Sequence, residues 1–194
     1  MMRILTDCDG VLLNWEYAFT TWMECHGYKI KEEGPYDMGL RYGLKKKKSR
    51  ELVRYFNESS SIGFLPPLRD AIQYVRKLHE ECGAVFHCIT SLSLEHTAQR
   101  LREQNLNKLF GEGVFEKFVF LDTGADKDEA LAHYKDSGDL WIEDKAENAV
   151  LGRTLGLDSV LIEHGHNIYD EDVMSKGIPL HKNWKSVYEY VMGA

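Results

Sequence analysis

The stretch Ile4-Leu5-Thr6-Asp7-Cys8-Asp9-Gly10-Val11 joins a short apolar run to two carboxylates that are one residue apart and followed by glycine. This order predicts a buried strand that delivers acidic side chains to the carboxyl edge of a sheet, where open α/β folds bind ligands. At about 4 Å, two like charges repel by roughly 4 kcal/mol at an effective dielectric constant of about 20. The pair therefore predicts either a shared proton or a hard cation between the carboxylates. Asp and Gly are also ordinary turn residues, so the motif alone leaves a simple turn as the alternative.

Length and composition indicate one globular domain, or one domain with a modest insertion. Of the 194 residues, 43% are hydrophobic and 28% are charged, which is ordinary for a soluble protein. The 24 basic and 31 acidic residues give a net charge of −7, which disfavours binding along a nucleic-acid polymer. The basic run at 45–48 opens an amphipathic segment, and we interpret it as a solvated helix start.

The four cysteines show no Cys-x-x-Cys spacing, and the longest apolar stretches have the length of strands. No charged and apolar leader precedes Arg3. These features predict a cytoplasmic chain with free thiols and no membrane contact. Cys8 lies between two carboxylates that would suppress its thiolate, so we interpret it as a packing residue rather than a nucleophile.

The segment after Gly10 is predicted to be helical and rich in aromatic residues. Asn14 is a candidate N-cap for a helix that runs to about Tyr28 and carries Trp15 in its first turn. Residues 29–43 are irregular, and a second helix is predicted over about 46–57. We therefore predict a small helical cap over residues 14–64, inserted into a core formed by 1–13 and 65–194. Trp15 either packs in this cap or overhangs the acidic pair.

The rest of the chain alternates between strand and helix patterns. Strands are predicted at 84–89, 118–121, 140–142 and 159–162, and helices at 66–83, 94–104, 126–134 and 185–192, with one more helix that follows the acidic pair 143–144 and runs through Leu155. This alternation predicts a Rossmann-like α/β fold with a doubly wound parallel sheet. Residues 164–184 are predicted to be a loop, and we interpret its histidines as surface or structural residues rather than metal ligands.

Several strand ends and adjoining turns carry reactive side chains: Asp7 and Asp9, then Thr90, then Lys127, then Asp144. In a parallel sheet the carboxyl ends of all strands meet at one edge, so these groups are expected to converge. A carboxylate such as Asp7 can attack phosphorus, and Asp9 is near enough to exchange a proton with the leaving oxygen.

The same groups predict how a phosphoryl group would be held. Asp7, Asp144 and the main-chain carbonyl of Asp9 offer the oxygen ligands that Mg2+ prefers. The hydroxyl of Thr90 and the ammonium of Lys127 would hold the transferring oxygens.

In this order the motifs resemble those of the haloacid dehalogenase superfamily of phosphohydrolases. The resemblance covers nearly the whole chain and rests on Asp-x-Asp-Gly-Val after a strand, Thr90, Lys127 and the acidic pair 143–144. It implies a Rossmann-like core, Mg2+ as cofactor, Asp7 as nucleophile and Asp9 as acid and base. It also implies that the helical block 14–64 is the cap inserted after the first strand.

A closer resemblance is to the 5'(3')-deoxyribonucleotidases. It rests on residues 7–16, 63–68, 89–91, 126–127, 140–145, 166–167 and 183–184. It implies that Trp15 stacks on a nucleobase and that the Ser91 hydroxyl lies near the phosphate. Residues 92–94 lack the basic residue that members often carry there, and Glu143 stands where they have Asp. These departures affect the expected substrate, and we predict a small phosphorylated one, most simply a nucleotide.

Two other functions remain alternatives. One is a phosphatase for another small phosphorylated metabolite, and the other is a nucleotide-binding module without turnover. The acidic charge makes a polynucleotide phosphatase a poorer fit. Glu143 and Asn148 are interpreted as supporting residues, with Asp144 as the direct metal ligand of that turn. The sequence leaves open whether the chain is a monomer or a homodimer.

Overall fold

The computed structural model describes residues 2–32, 35 and 37–193 of the chain. Residues 33, 34 and 36, which belong to the predicted irregular stretch 29–43, lie outside the described part.

Six parallel strands form a single sheet in the described part of the chain. They are β1 (Arg3–Thr6), β2 (Val85–Ser91), β3 (Phe115–Leu121), β4 (Leu140–Glu143), β5 (Asp158–Ile162) and β6 (Leu180–His181). Their order across the sheet is β3-β2-β1-β4-β5-β6, and each neighbouring pair is parallel. The predicted α/β class with a doubly wound parallel sheet is therefore confirmed. The strand order reverses between β1 and β4, which is where such sheets open a ligand crevice.

Nine α-helices accompany these strands among the described residues. They are α1 (Trp15–Cys25), α2 (Met38–Tyr42), α3 (Lys46–Asn57), α4 (Ala71–Cys82), α5 (His96–Phe110), α6 (Asp128–Ala132), α7 (Ala146–Thr154), α8 (Glu171–Ser175) and α9 (Trp184–Met192). The Asn14 side chain accepts a hydrogen bond from the Tyr17 amide, as an N-cap does. Gly83 ends α4 at φ +63°, as predicted. The lysines at 45–48 are exposed at the start of α3, which confirms their interpretation.

Helix α4 begins later than predicted. We expected it to open at Pro66-Pro67, but Pro67 pairs with Leu13, and the Leu68 amide donates to the Leu12 carbonyl at 2.8 Å. Arg69 then adopts a positive φ of 44°, which a helix does not tolerate. The helix therefore starts only at Ala71.

Strand β3 begins earlier than predicted and α8 and β6 were missed. Strand β3 starts at Phe115 because it is an edge strand, where exposed Glu116 and Lys117 are tolerated. The predicted loop at 164–184 is wrong in part, since it contains α8 and β6. Strand β6 has only two residues and is defined by its pairing with β5, so it leaves no periodic pattern in the sequence.

Strand β1 lies at the centre of the sheet and is buried on both faces. It pairs with β2 on one side and with β4 on the other. Ile4 belongs to the larger apolar core and Leu5 to a smaller core that includes Trp141, because successive side chains of a strand point to opposite faces. The acidic residues that follow β1 therefore start from a rigid support.

The segment 14–64 packs on the larger core through aromatic side chains. Phe19 stacks against Trp15 at 4.6 Å between ring centroids and meets Phe56 edge-on at 5.4 Å. Phe19 and Phe56 lie in the same apolar cluster as Ile4 of β1. The division of the chain into core and cap stays a prediction. Among the residues that the structure describes, no helix has the length and apolar character needed to cross a membrane.

Candidate active site

The end of β1 brings Asp7 to a buried lysine. The Asp7 amide still donates to the Ile142 carbonyl of β4 at 2.9 Å, which fixes the main chain at the strand end. Lys127 precedes α6, and its Nζ lies 2.8 Å from an oxygen of Asp7 and 2.8 Å from an oxygen of Glu143. All three residues are buried. The predicted convergence of Asp7 and Lys127 at the sheet edge is thus present.

Three buried carboxylates surround this single ammonium group. Asp7, Glu143 and Asp144 can each place one oxygen within 4.8 Å of the others. Burial, and then the neighbouring carboxylates, raise the pKa of Asp7 to about 8 and that of Asp144 to about 7. The pKa of Glu143 is also raised by burial. Burial opposes the charge of Lys127, but the Asp7 and Glu143 carboxylates outweigh it and raise the lysine pKa.

This excess of negative charge fits a divalent cation. Two or more carboxylate oxygens in a cleft are the ligands that Mg2+ uses, with water and phosphate completing the shell. Asp7 and Asp144 would hold the ion, as predicted from the sequence. Glu143 is close enough to join them, although one of its oxygens accepts from Lys127 and the other from the Lys145 amide at 3.2 Å.

Gly10 allows Asp144 to approach the β1 turn. Its φ is +75°, and an added Cβ would lie only 2.7 Å from Cγ of Asp144. A side chain at position 10 would therefore occupy the space that the Asp144 carboxylate fills. The glycine of the Asp-x-Asp-Gly motif is thus needed for both its backbone conformation and its missing Cβ.

The second aspartate of the motif has a different partner. Arg102 of α5 donates from Nη1 and Nη2 to the two oxygens of Asp9, at 2.6 and 3.3 Å. Nη1 also donates to Sγ of Cys8 at 2.8 Å. Cys8 itself is fully buried, in agreement with its interpretation as a packing residue. The carboxylate of Asp9 is therefore held apart from the Lys127 cluster, and its predicted main-chain contact to a metal stays a prediction.

A cavity of about 210 Å³, here called the lysine cavity, opens over the cluster. Six of the predicted site residues share this space: Asp7, Asp9, Trp15, Thr90, Ser91 and Lys127. Thr90 is buried near the end of β2, whereas Ser91 is partly exposed and donates its hydroxyl to the Ala125 carbonyl at 2.8 Å. Asn148 also lines this cavity from the first turn of α7, but the N-cap position of that helix is Lys145.

Trp15 closes the lysine cavity from the segment 14–64. Its Nε1 donates to Oδ1 of Asn57 at 2.9 Å, and Asn57 in turn donates to the Leu92 carbonyl at 3.0 Å. Arg54 of α3 makes a two-pronged ion pair with Asp122, at 2.9 and 3.0 Å, just after β3. These contacts tie α1 and α3 to the loops that follow β2 and β3.

A second cavity of about 420 Å³, here called the histidine cavity, adjoins the first. Asp9 and Trp15 line both cavities, while His164, His166 and Asp144 line only the second. His164 Nε2 contacts the Gly10 carbonyl at 2.7 Å, and His166 Nε2 contacts the Asp144 carbonyl at 3.0 Å. Burial lowers the pKa of both imidazoles. The structural interpretation of these histidines agrees with their contacts, since they hold the two acidic turns.

Sequence reasoning missed Arg102 and assigned no role to Asn167. Arg102 lies on the buried face of α5 with Ala98 and Leu106, so a charged residue in an apolar stripe was the available signal. Asn167 is buried and donates to the carbonyls of Asp144 and Ile162 at 2.7 and 2.8 Å, which fixes the Asp144 turn from a distant loop. Its role depends on a tertiary contact and has no local signal.

The chain matches no protein family model. It is 27% identical, over 154 residues, to an uncharacterized 32.4 kDa protein of Enterobacteria phage T4. The match covers 75% of this chain and 54% of the phage protein, so the chain spans about half the length of that relative.

Solved structures of haloacid dehalogenase-like hydrolases share the fold. A hydrolase of this type from Streptococcus pneumoniae gives a TM-score of 0.68 at 16% identity and covers 98% of both chains. A predicted phosphatase from Clostridium acetobutylicum gives 0.66 at 13% identity, covering 100% of this chain and 99% of its own. A hydrolase from Deinococcus radiodurans with bound phosphate and sodium gives 0.60 at 14% identity, covering 98% and 95%. At these identities the likeness establishes the Rossmann-like fold.

Proposed function

We propose that this chain is a phosphomonoesterase that depends on a divalent cation such as Mg2+ and works through a phosphoryl group carried on Asp7. The observation that carries the proposal is the Lys127 ammonium, buried 2.8 Å from both Asp7 and Glu143 in a cluster of three carboxylates. Such an excess of buried negative charge is costly without a cation to balance it, and a bound cation would in turn attract an anionic phosphate. The hydrolases and phosphatases among its structural neighbours support the same class.

In the first step the Asp7 carboxylate attacks phosphorus and forms an O–P bond. The P–O bond to the ester oxygen breaks, its electron pair goes to that oxygen, and Asp9 gives the oxygen a proton. The alcohol leaves and an aspartyl phosphate remains. Lys127, together with the hydroxyls of Thr90 and Ser91, holds the phosphoryl oxygens as charge develops. A bound divalent cation would offset the carboxylate charge and polarise the phosphoryl group.

In the second step Asp9, now a carboxylate, takes a proton from a water molecule whose oxygen attacks the phosphorus. The bond between phosphorus and Asp7 breaks, and its electron pair restores the Asp7 carboxylate. Inorganic phosphate leaves and Asp9 is again protonated. The sum of both steps is ester plus water giving alcohol plus phosphate, with no further reactant.

Deoxyribonucleoside monophosphates are the proposed substrates. Because Asp9 and Trp15 line both cavities, an ester whose phosphate lies in the lysine cavity can extend its leaving group into the histidine cavity. That cavity, of about 420 Å³, combines the indole of Trp15 with polar groups such as Arg69 and His164. An indole stacked on a base contributes about 1–3 kcal/mol of binding.

Another small phosphorylated metabolite is the second candidate. It is favoured by the fact that Trp15 already stacks one face on Phe19 and bonds its Nε1 to Asn57, as a packing residue does.

The test is phosphate release by the purified chain from dUMP, dTMP and a panel of phosphorylated metabolites, with Mg2+ and with EDTA. We expect Mg2+-dependent release that is greatest on the deoxynucleotides and is abolished in Asp7→Asn. Undiminished release by Asp7→Asn contradicts the mechanism. Preferred release from a sugar phosphate selects the second candidate, and nucleotide binding without release selects a binding module.

A further inference from the structure

We infer that Arg102 is the positioning residue for Asp9: its guanidinium holds the carboxylate at the junction of the two cavities, where it faces the leaving group. This inference rests on the proposed function. It concerns a residue outside the motifs by which the site was predicted, on a helix of which no residue lines either cavity, so Arg102 acts on the site only through Asp9.

Arg102 contacts Asp9 through two hydrogen bonds, and the two side chains differ in their exposure to solvent. Nη1 lies 2.6 Å from Oδ1 of Asp9 and Nη2 lies 3.3 Å from Oδ2. The side chain of Arg102 is fully buried, whereas that of Asp9 is 23% exposed. One side of the Asp9 carboxylate therefore contacts the buried guanidinium. The exposed part of Asp9 lines both the lysine cavity and the histidine cavity. A planar fork of this kind fixes the plane of a carboxylate as well as its distance.

Packing alone does not explain a buried guanidinium at this position. Burying an ion costs several kcal/mol even when it is paired, and replacing a buried ion pair by apolar residues is often neutral or stabilising. The buried face of α5 is otherwise largely apolar, with Ala98, Leu106 and Phe110. Nε of Arg102 has no hydrogen-bond partner among the residues that the structure describes. Burying this charge costs free energy, and the guanidinium donates to Asp9 and Cys8.

Arg102 also separates the two aspartates of the motif. Asp7 pairs with the Lys127 ammonium, and Asp9, two residues later, would be drawn to the same charge if it had no cation of its own. By binding Asp9 from the side of α5, Arg102 leaves the Lys127 ammonium to Asp7 and Glu143 and holds Asp9 in place for proton transfer. A shift of about 1 Å in such a group can cost roughly 100-fold in rate.

The inference predicts a change in leaving-group selectivity. A nucleoside monophosphate releases an alkoxide-like oxygen that needs the proton of Asp9, whereas p-nitrophenyl phosphate releases a stable phenolate that does not. The value of kcat/KM reports the step in which the ester bond breaks. Loss of Arg102 should therefore lower kcat/KM for the nucleotide far more than for the nitrophenyl ester.

The experiment compares kcat/KM for dUMP and for p-nitrophenyl phosphate, both with Mg2+, in the wild type, Arg102→Met and Arg102→Lys. We expect the ratio of the two values to fall about 100-fold in Arg102→Met. The ratio for Arg102→Lys should lie between those of the wild type and Arg102→Met, because an ammonium supplies the charge without the planar pair of donors. The ratio does not depend on how much of the preparation is folded, so a destabilised variant still gives an answer.

Asn105→Ala is the matched control. Asn105 is buried on the same helix and, like Arg102, lines neither of the two cavities, but its side chain donates to the Leu65 carbonyl at 3.0 Å rather than to Asp9. Its ratio should equal that of the wild type even if its melting temperature falls. An unchanged ratio in both Arg102 variants overturns this inference while the proposed function stands. If the wild type releases phosphate from neither ester, the proposed function is overturned, and this inference with it.

Discussion

Gly10→Ala should inactivate the site through Asp144 rather than through the backbone. The added methyl group would lie 2.7 Å from Cγ of Asp144 and closer still to Oδ2, whereas ordinary contact begins at about 3.4 Å, so the carboxylate must retreat by at least about 0.7 Å. We expect kcat/KM to fall by roughly 10- to 100-fold, because a displacement near 1 Å in a catalytic group can cost about 100-fold. The left-handed backbone at φ +75° adds a strain of about 1–2 kcal/mol.

Gly27→Ala separates the strain from the displacement. Gly27 has φ +82° at the end of α1, and nothing lies within 4 Å of an added Cβ. It should therefore carry the backbone strain alone, which corresponds to a fall in melting temperature of roughly 2–8 °C for a chain of this size. The assays are thermal unfolding and Mg2+-dependent phosphate release for both variants. Full activity in Gly10→Ala, or an equal loss of activity in Gly27→Ala, would refute the reasoning.

Three further predictions concern the cation, the indole and pH. Saturating Mg2+ at about 100 times its Kd should stabilise the wild type by about 2.7 kcal/mol in thermal unfolding; an equal gain in Asp144→Asn would exclude that residue as a ligand. Trp15→Ala should raise KM for dUMP by roughly 5- to 150-fold and leave KM for glycerol phosphate unchanged. Tyr17→Ala, at an exposed position on the same helix, is the control. An unchanged KM for dUMP in Trp15→Ala would make Trp15 a packing residue. Burial lowers the pKa of His181 in the folded protein, so in the unfolded chain this histidine is protonated first, as pH falls below about 6.5. The folding stability that His181 contributes above that pH is therefore lost as pH falls towards and through its pKa in the folded protein. Between neutral pH and a pH of about 5, the melting temperature should therefore fall less in His181→Phe than in the wild type. An equal fall in both proteins would contradict this.

The fold was predictable because its main elements satisfy local rules. Alternating strand and helix patterns specify a parallel sheet, and Asn14 and Gly83 mark helix ends where short-range chemistry requires them. The errors occur where the structure depends on distant pairing. Strand β6 exists through its register with β5, and the late start of α4 follows from the pairing of Pro67 with Leu13.

The candidate site was predictable in its residue types but not in its pairings. Residues at the strand ends and in the loops that follow them, such as Asp7, Lys127 and Asp144, converge because parallel strands share one edge. The sequence could not show that Asp9 faces Arg102, because that contact spans 93 positions and depends on how α5 packs. The sequence also could not show whether Glu143 binds the Lys127 ammonium or a metal ion, since a carboxylate suits both.

The central position of β1 has a consequence for synthesis on the ribosome. Its two neighbours in the sheet begin at residues 85 and 140, so the first strand to emerge is also the one that waits longest for its partners. At roughly 5–20 residues per second, the second partner emerges about 7–27 s after β1. Until β4 emerges, β1 can pair only with β2, so the burial of Ile4 and Leu5 seen in the finished protein is incomplete. Nascent chains stalled before residue 140 should therefore expose the β1 segment to chaperones that bind apolar stretches, and this binding should be lost once β4 is made.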